Sequence, residues 1–182
     1  MRKLPIYFLV DVSGSMKGEP IESVRVGLQT IVACLLQEPW ALETVHLCLI
    51  TFDEEAKVVT PLTSVEAFEV PEVLPVGSSR ANWGAAIKVL CQRVDAEVVK
   101  STADIKGDWK PMVFLMTDGE PTDTFDHGLV EFQKRKWGMV IACAAGPSAN
   151  TENLKKLTEV VIRLDGASPA VFKAFLPGSP IR

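Results

Sequence analysis

The sequence predicts an α/β fold: a doubly wound, mostly parallel sheet with one antiparallel edge strand and helices on both faces. Three observations support this fold class. Several short segments are apolar at every position, as strands are when both faces of a parallel sheet are covered. Between them lie segments whose apolar residues recur at three- and four-residue steps, the period of amphipathic helices. One pair of strands is connected by only "DEE", too short for a parallel crossover, so these two strands are expected to pair antiparallel.

The first half of the chain is predicted to contain three strands and two helices. The strands are "LPIYFLV" at 4–10, "VHLCLITF" at 45–52 and "AKVVT" at 56–60. The helices are "GEPIESVRVGLQTIVACLLQ" at 18–37, with Pro20 in the first turn where a missing N–H costs nothing, and "WGAAIKVLCQRV" at 83–94. A polar, proline-containing connection over 61–79 separates the third strand from the second helix.

The second half continues the alternation of strands and helices. After the loop "STADIKGDWKP" we expect a strand "MVFLMT" at 112–117, a helix near 124–136, a strand "GMVIACAA" at 138–145, a short helix near 150–157, a strand "VVIRL" at 160–164 and a final helix near 169–176. The chain of 182 residues is expected to form one domain over 1–176, followed by a short frayed tail over 177–182.

The composition argues against several classes of partner and location. There are 19 Lys and Arg against 23 Asp and Glu, a formal charge of −4, without the concentrated basic face that nucleic-acid binding requires. The apolar stretch near the N-terminus contains Pro5 and is too short for a signal peptide, and no apolar segment reaches the roughly 18 residues of a membrane span. We therefore expect a cytoplasmic protein. The four cysteines form no CxxC pair and lie in apolar segments, which indicates buried reduced thiols rather than a zinc site.

Polar side chains follow two of the predicted strands at the point where each strand ends. The first strand is followed by Asp11, Ser13 and Ser15, and the strand "MVFLMT" is followed by Asp118. Ligands of such sheets bind above the carboxyl ends of the strands, and Mg²⁺ takes oxygen ligands that include one or two carboxylates. The pattern therefore predicts a divalent-cation site with an open position for an oxygen anion. The acidic run at 53–55 is assigned to the hairpin turn instead.

Each motif also has a simpler interpretation. The segment "SGS" after a strand is often a turn and helix N-cap, and "TDG" alone is more often a turn than a metal site. The two simple interpretations weaken together, because the predicted sheet places both motifs side by side at the same edge.

The two motifs together resemble a known family. "DVSGSM", with a later "TDGEPTD" after an apolar strand, resembles the von Willebrand factor type A domain and its metal-ion-dependent adhesion site, Asp-x-Ser-x-Ser with a later Thr and Asp. The longer segments "LPIYFLVDVSGSMKGEPIESVRVGLQ", "ALETVHLCLITFDEEAKVVTPLT" and "FLMTDGEPTD" are similar to the TerY group of bacterial tellurium-resistance proteins.

The resemblance implies a six-stranded sheet with a metal at its upper edge, held by Asp11, Ser13, Ser15 and Asp118. It implies binding of partner proteins through that metal, with no catalysis by the domain itself. The small set of oxygen ligands favours Mg²⁺, and Mn²⁺ and Ca²⁺ remain open. The TerY group further implies a role in tellurite resistance and phosphorylation signalling, with a kinase and a PP2C-type phosphatase as partners.

The sequence departs from the family pattern at one position. In "VGSSRANWGAAIKVL" the residue aligned with the metal-binding threonine is Ala81, which has no side-chain oxygen. Ser79 is a weak substitute, out of register, and Asn82 is one residue late. Three explanations stay open: a loop that turns Ser79 inward, a site completed by water, or a site with impaired metal binding.

Two enzymatic alternatives receive less support from the residues. A magnesium-dependent phosphotransfer enzyme or phospho-acceptor domain also begins with an aspartate at a strand end, but it needs a second acid close by, where this chain has Ser13. Lys17 follows without the glycine-rich loop of a phosphate site. A serine hydrolase needs a G-x-S-x-G elbow, which "DVSGSMKG" does not supply. We therefore expect an interaction domain and not an enzyme.

Overall fold

A computed structural model describes residues 2–75 and 77–177 of the chain. Its centre is a six-stranded sheet in the order β3-β2-β1-β4-β5-β6. The strands are β1 (Leu4–Asp11), β2 (Val45–Phe52), β3 (Ala56–Ser64), β4 (Met112–Thr117), β5 (Met139–Ala144) and β6 (Val161–Arg163). All neighbours pair parallel except β2 and β3, which pair antiparallel at the edge. The predicted fold class is confirmed.

Five α-helices accompany these strands in the described residues. They are α1 (Glu19–Leu36), α2 (Pro39–Thr44), α3 (Trp83–Glu97), α4 (Asp126–Gln133) and α5 (Pro169–Lys173). The sequence did not indicate α2, because six residues are too few to show a helical period. The short helix expected near 150–157 is only a 3₁₀ turn, Leu154–Lys156, and α5 is shorter than the predicted helix over 169–176.

The strand β3 extends four residues beyond the predicted end at Thr60. The sequence placed Pro61 in a loop, since proline cannot donate a hydrogen bond to a sheet ladder. Because β3 lies at the edge of the sheet, proline is tolerated there, and the strand continues to Ser64 with an irregular register against β2.

Two apolar cores lie on the two faces of the sheet. Successive side chains of β1 alternate between them, as the two-residue period of a strand requires: Phe8 packs in the core with α1 and α5, and Tyr7 packs in the core with α3 and α4. All four cysteines are buried and free, as predicted. Burial raises the pKa of the Cys48 thiol to about 12, so this thiol stays protonated at neutral pH.

Two further observations concern the C-terminal tail and the helices. Of the predicted tail over 177–182, only Pro177 is among the described residues. Within the part of the chain that the structure describes, no helix combines the length and apolar character that crossing a bilayer demands.

Candidate metal centre

Three loops meet at the carboxyl edge of the sheet, above β1 and β4. They follow β1 (12–18), precede α3 (77–82) and follow β4 (118–125). The order of the sheet explains this meeting. β1 pairs with β2 on one side and with β4 on the other, so the strand order reverses at β1, and ligands of such sheets bind beside that point.

Asp11, the last residue of β1, is fully buried at this point of the sheet. Its Oδ1 accepts a hydrogen bond from the Ser13 N–H at 2.9 Å, and its Oδ2 accepts one from the Thr117 hydroxyl at 2.7 Å. Burial raises the pKa of Asp11, the hydrogen bonds from Ser13 and Thr117 oppose this effect, and the charge of Asp118 adds to it. No lysine or arginine among the described residues forms an ion pair with Asp11. The buried carboxylate therefore lacks a compensating cation from these residues.

Ser13 and Ser15 place two hydroxyl oxygens next to each other. Their Oγ atoms are 3.2 Å apart across a 3₁₀ turn over Gly14–Met16. The Met16 N–H donates to the Ser13 carbonyl at 3.0 Å, and the fully buried Met16 side chain holds the turn against the core. Mg²⁺–oxygen bonds of about 2.0–2.1 Å at right angles place adjacent ligand oxygens about 3 Å apart. The separation of the two hydroxyls therefore suits neighbouring positions around such an ion.

The end of β4 brings a second carboxylate to the same edge. Asp118 is nearly buried, and its Oδ1 accepts a hydrogen bond from the Glu120 N–H at 3.2 Å. Gly119 follows with a φ of +83°, and a Cβ there would collide with the backbone of Asn150, so only glycine permits this turn. The negative charge of Asp118 adds to the rise in the pKa of Asp11, and its effect is smaller than that of burial.

Thr117 is a residue of the site that the sequence analysis missed. It is fully buried, donates its hydroxyl to Asp11, and accepts the Gly119 N–H at 3.2 Å. Thr117 thus orients Asp11 and shapes the turn that carries Asp118. The available signal was a hydroxyl at the end of an otherwise apolar strand, next to the strand that ends in Asp11.

The loop before α3 contains Ala81, the residue that the sequence resemblance aligns with a metal-binding threonine. Ala81 is 1% exposed and packs in the core beneath α3. Its N–H donates to Thr122 Oγ1 at 2.9 Å, and its carbonyl accepts the Thr122 N–H at 3.0 Å. Ser79 is exposed, and within residues 2–75 and 77–177 no hydrogen bond joins its side chain to Asp11, Ser13 or Ser15. Thr122 therefore secures the backbone of this loop, whereas Ser79 has no such role.

The loop after β4, which contains Thr122, also holds the N-terminus of α3 through Asp123. Asp123 Oδ1 accepts the Trp83 N–H at 3.0 Å, and Asp123 Oδ2 accepts the Gly84 N–H at 2.8 Å. A carboxylate there satisfies two free amides and interacts favourably with the helix dipole. In the loop before α3, the Ser78 carbonyl accepts the Gly14 N–H. That loop therefore also supports the turn that carries Ser13 and Ser15.

The donor set at this edge consists of oxygen atoms. Asp53 belongs to the β2–β3 turn as expected, because its Oδ1 accepts the Glu55 N–H at 3.2 Å. Across the described ranges, no three His, Cys, Asp or Glu side chains cluster as metal ligands would. The carboxylates of Asp11 and Asp118 and the hydroxyls of Ser13 and Ser15 are oxygen donors, the type that a hard cation such as Mg²⁺ prefers.

Comparisons with known proteins agree on the fold. The family model of the von Willebrand factor type A domain matches residues 6–168. Among solved structures, a von Willebrand factor type A protein from Catenulispora acidiphila is 15% identical, with a TM-score of 0.66, over 96% of this chain and 41% of that chain. None of the curated proteins searched matches the sequence significantly.

Two other solved structures are similar. Proximal thread matrix protein 1 from the mussel byssus was solved with zinc in its metal-ion-dependent adhesion site (MIDAS) motif. It is 14% identical with a TM-score of 0.63, over 96% of this chain and 45% of that one. An aerotolerance-related membrane protein from Bacteroides fragilis, with multiple mutations to serines, is 18% identical with a TM-score of 0.60, over 94% of this chain and 96% of that one. The chain thus spans less than half of two of these three proteins and nearly all of the third.

Proposed function

Since this chain belongs to the von Willebrand factor type A family, we propose that it binds partner proteins through a divalent cation at the carboxyl edge of its sheet. The observation that carries the proposal is the fully buried Asp11, whose oxygens are oriented by Ser13 and Thr117. A buried carboxylate is costly unless a positive charge compensates it. Domains of this family generally mediate interactions with other proteins, and one similar protein was solved with zinc in its MIDAS motif.

Asp11, Ser13, Ser15 and Asp118 would hold the ion, which supplies a positive charge able to bind a carboxylate oxygen of the partner. The ligand set favours Mg²⁺ over Mn²⁺ and Ca²⁺, because it is small and Mg²⁺ keeps several waters in proteins. With Ala81 aligned with the threonine, two explanations are preferred: water completes the site, or the site binds its ion more weakly. Ser79 is the weaker alternative because it is exposed.

The finer assignment follows from the sequence segments similar to the TerY group. We propose a cytoplasmic component of bacterial tellurite resistance and phosphorylation signalling, which engages a kinase and a PP2C-type phosphatase. The domain itself performs no chemical step in this proposal. Where phosphotransfer sites place a second acid beside the strand-end aspartate, this chain has Ser13.

Calorimetric titration of Mg²⁺, Mn²⁺ and Ca²⁺ into the metal-free protein tests the metal site. The wild-type protein should bind one ion, and Asp11→Ala should weaken binding at least about 100-fold, because the principal charged ligand is removed. The matched control is Asp53→Ala, an acid at the neighbouring strand end whose side chain serves the hairpin turn. If Asp11→Ala and Asp53→Ala bind the ions equally well, the proposed site is wrong.

Binding of the kinase and the phosphatase tests the partner assignment separately. Each purified protein is titrated with this domain in Mg²⁺ and again in EDTA. Binding should require Mg²⁺ and should be lost in Asp11→Ala. Metal binding without affinity for either protein would refute the TerY-like partners and leave the metal site intact.

A further inference from the structure

A cavity of about 670 Å³ lies at the opposite edge of the sheet, below the amino ends of β1, β4 and β5. Its lining comes from five separate parts of the chain and includes Arg2, Leu4, Trp40, Trp109, Lys110 and Met112. The volume falls in the range of about 300–1,000 Å³ that is usual for small-molecule sites. None of these residues belongs to the carboxyl edge, so this cavity is separate from the proposed metal site.

The interior of the cavity is mainly apolar. Leu4 and Met112, the first residues of β1 and β4, are almost completely buried and form part of its floor. Trp40, on α2, and Trp109, in the loop before β4, add two indole side chains. Trp109 is 49% exposed, which is unusual for such a large aromatic side chain. A ligand that covered it would remove apolar surface from water.

Arg2 and Trp109 are held in place before any ligand arrives. The Arg2 guanidinium lies over the Trp109 ring at 3.8 Å from its centre, and the Arg2 Nε–H donates to the Gly107 carbonyl at 2.7 Å. The backbone N–H of Trp109 donates to the Lys3 carbonyl at 2.9 Å. A Cβ on Gly107 would collide with the backbone of Val99, so the loop depends on glycine at this point. Preorganised side chains lose less entropy on binding.

The charge at the rim of the cavity is positive. Arg2 and Lys110 form no ion pair within the described residues. Asp108 also lines the cavity, but both of its oxygens are engaged: Oδ1 accepts the Lys3 N–H and Oδ2 accepts the Val99 N–H, each at 2.9 Å. Two cations therefore stand against one acid that is already hydrogen bonded.

From these contacts we infer that the cavity binds a small amphipathic organic anion: a carboxylate attached to an aromatic or branched aliphatic body. The carboxylate pairs with Arg2 and Lys110 at the rim. The apolar body packs on Trp109, Trp40 and the floor of the cavity. Arginine suits this task because its planar group can stack on an indole while its free N–H groups bind a carboxylate.

Three probes with one apolar body test the charge requirement: 4-phenylbutyrate, its neutral amide 4-phenylbutanamide and the cation 4-phenylbutylamine. Each is titrated into the ¹⁵N-labelled full chain, and the amide shifts in the NMR spectrum are followed to saturation. The carboxylate should bind at least tenfold tighter than the amide, and the amine should bind more weakly still. Shifts should concentrate around Trp40, Trp109 and the starts of β1 and β4. Lack of saturable binding by 4-phenylbutyrate, or equal affinity for all three probes, overturns the inference.

Variants test the residues. Arg2→Gln, Lys110→Gln and Trp109→Ala should each weaken 4-phenylbutyrate binding at least about fivefold, and Arg2→Gln should reduce the preference for the carboxylate over the amide. The matched control is Lys57→Gln, an exposed cation on β3. Thermal unfolding of each variant shows whether it is folded. Equal weakening by Lys57→Gln and Arg2→Gln would contradict a specific site. Asp11→Ala should bind the probe as the wild type does, so failure of the metal site and failure of this cavity are distinguishable.

Discussion

The carboxyl edge and the amino edge of the sheet, where its parallel strands end and begin, carry two differently built sites. At the carboxyl edge, Asp11, Ser13 and Ser15 lie within five residues of sequence, and their oxygens are oriented by hydrogen bonds. At the amino edge, Arg2 and Trp109 come from distant parts of the chain and are oriented by stacking of a cation on a ring. The same strands, β1 and β4, contribute to both edges. The difference teaches that a parallel sheet can present opposite chemistry at its two ends.

The two edges also differ in charge. Two carboxylates, Asp11 and Asp118, lie at the carboxyl edge, whereas Arg2 and Lys110, which form no ion pair within the described part of the chain, line the cavity at the amino edge. The formal charge of −4 for the whole chain conceals this separation. A cation is therefore expected at one edge and an anion at the other, and each of the following predictions affects one edge, the other, or the strand that joins them.

The largest effect is expected from Phe114→Ala, in the middle of β4. Phe114 is fully buried and stacks on Phe8 with ring centroids 5.5 Å apart. Removal of such a side chain leaves a cavity and should lower the free energy of unfolding by about 3–5 kcal/mol, measured by urea denaturation. The control is Leu74→Ala, which is 63% exposed and should change it by less than about 0.5 kcal/mol. Both sites should weaken together, and a loss at one edge alone would show that β4 does not couple them.

The next effect separates the edges. Thr117→Val removes the hydroxyl that orients Asp11 and should weaken Mg²⁺ binding about 10- to 100-fold, since partners that orient metal ligands typically contribute this much. The counterpart at the amino edge is Thr44→Val, whose hydroxyl donates to the Trp40 carbonyl at 2.6 Å. Calorimetry should show unchanged Mg²⁺ affinity for Thr44→Val, and unchanged 4-phenylbutyrate affinity for Thr117→Val. A change in the same direction at both edges in either variant would contradict independent sites.

The positions of the residues at the carboxyl edge were largely predictable from the sequence, because they fall in two short segments at the ends of β1 and β4. Apolar strands and helical periods predicted the sheet, and the sheet predicted that residues after β1 and β4 would meet. Thr117 was missed because its side chain completes an apolar strand and shows no periodic signal. Ala81 was placed by alignment with the family motif, whereas its two backbone hydrogen bonds to Thr122 required coordinates.

The amino edge was not predictable, for a physical reason. Trp40 lies on α2, a helix too short to show a period, and Trp109 lies in an irregular loop. Their approach depends on backbone contacts between the loop and the N-terminal residues, such as the hydrogen bond from Trp109 to Lys3. Such contacts leave no pattern in a single sequence. The extension of β3 beyond Pro61 was missed similarly, because position at the sheet edge, and not local propensity, permits it.

Ala81→Thr tests whether the carboxyl edge lacks one ligand. The backbone at this position is fixed by Thr122, so a threonine hydroxyl should replace a bound water and increase Mg²⁺ affinity about tenfold, or about 1.4 kcal/mol. Ala81→Val is the matched control, with similar volume and no hydroxyl. Both variants should lose about 1–3 kcal/mol of stability, because the site is 1% exposed. Equal Mg²⁺ affinity of the threonine and valine variants in calorimetry would show that position 81 does not reach the ion.

The smallest effect is expected from Asp123→Ala, which acts on the metal site only through other residues. Loss of its hydrogen bonds to Trp83 and Gly84 frees two amides at the start of α3 and should cost about 1 kcal/mol in urea denaturation. Because the loop before α3 also supports Gly14 through the Ser78 carbonyl, Mg²⁺ affinity should fall about threefold.

Asp123→Asn retains one acceptor and should show a smaller change in both measurements, which a purely electrostatic effect on the ion would not produce. An effect of charge alone would make the alanine and asparagine variants equal in Mg²⁺ affinity, since both remove the same negative charge. The graded response follows from geometry, because each remaining hydrogen bond restricts the loop on which Gly14 rests. At the amino edge, 4-phenylbutyrate should bind both variants as it binds the wild type, since α3 contributes no residue to that cavity.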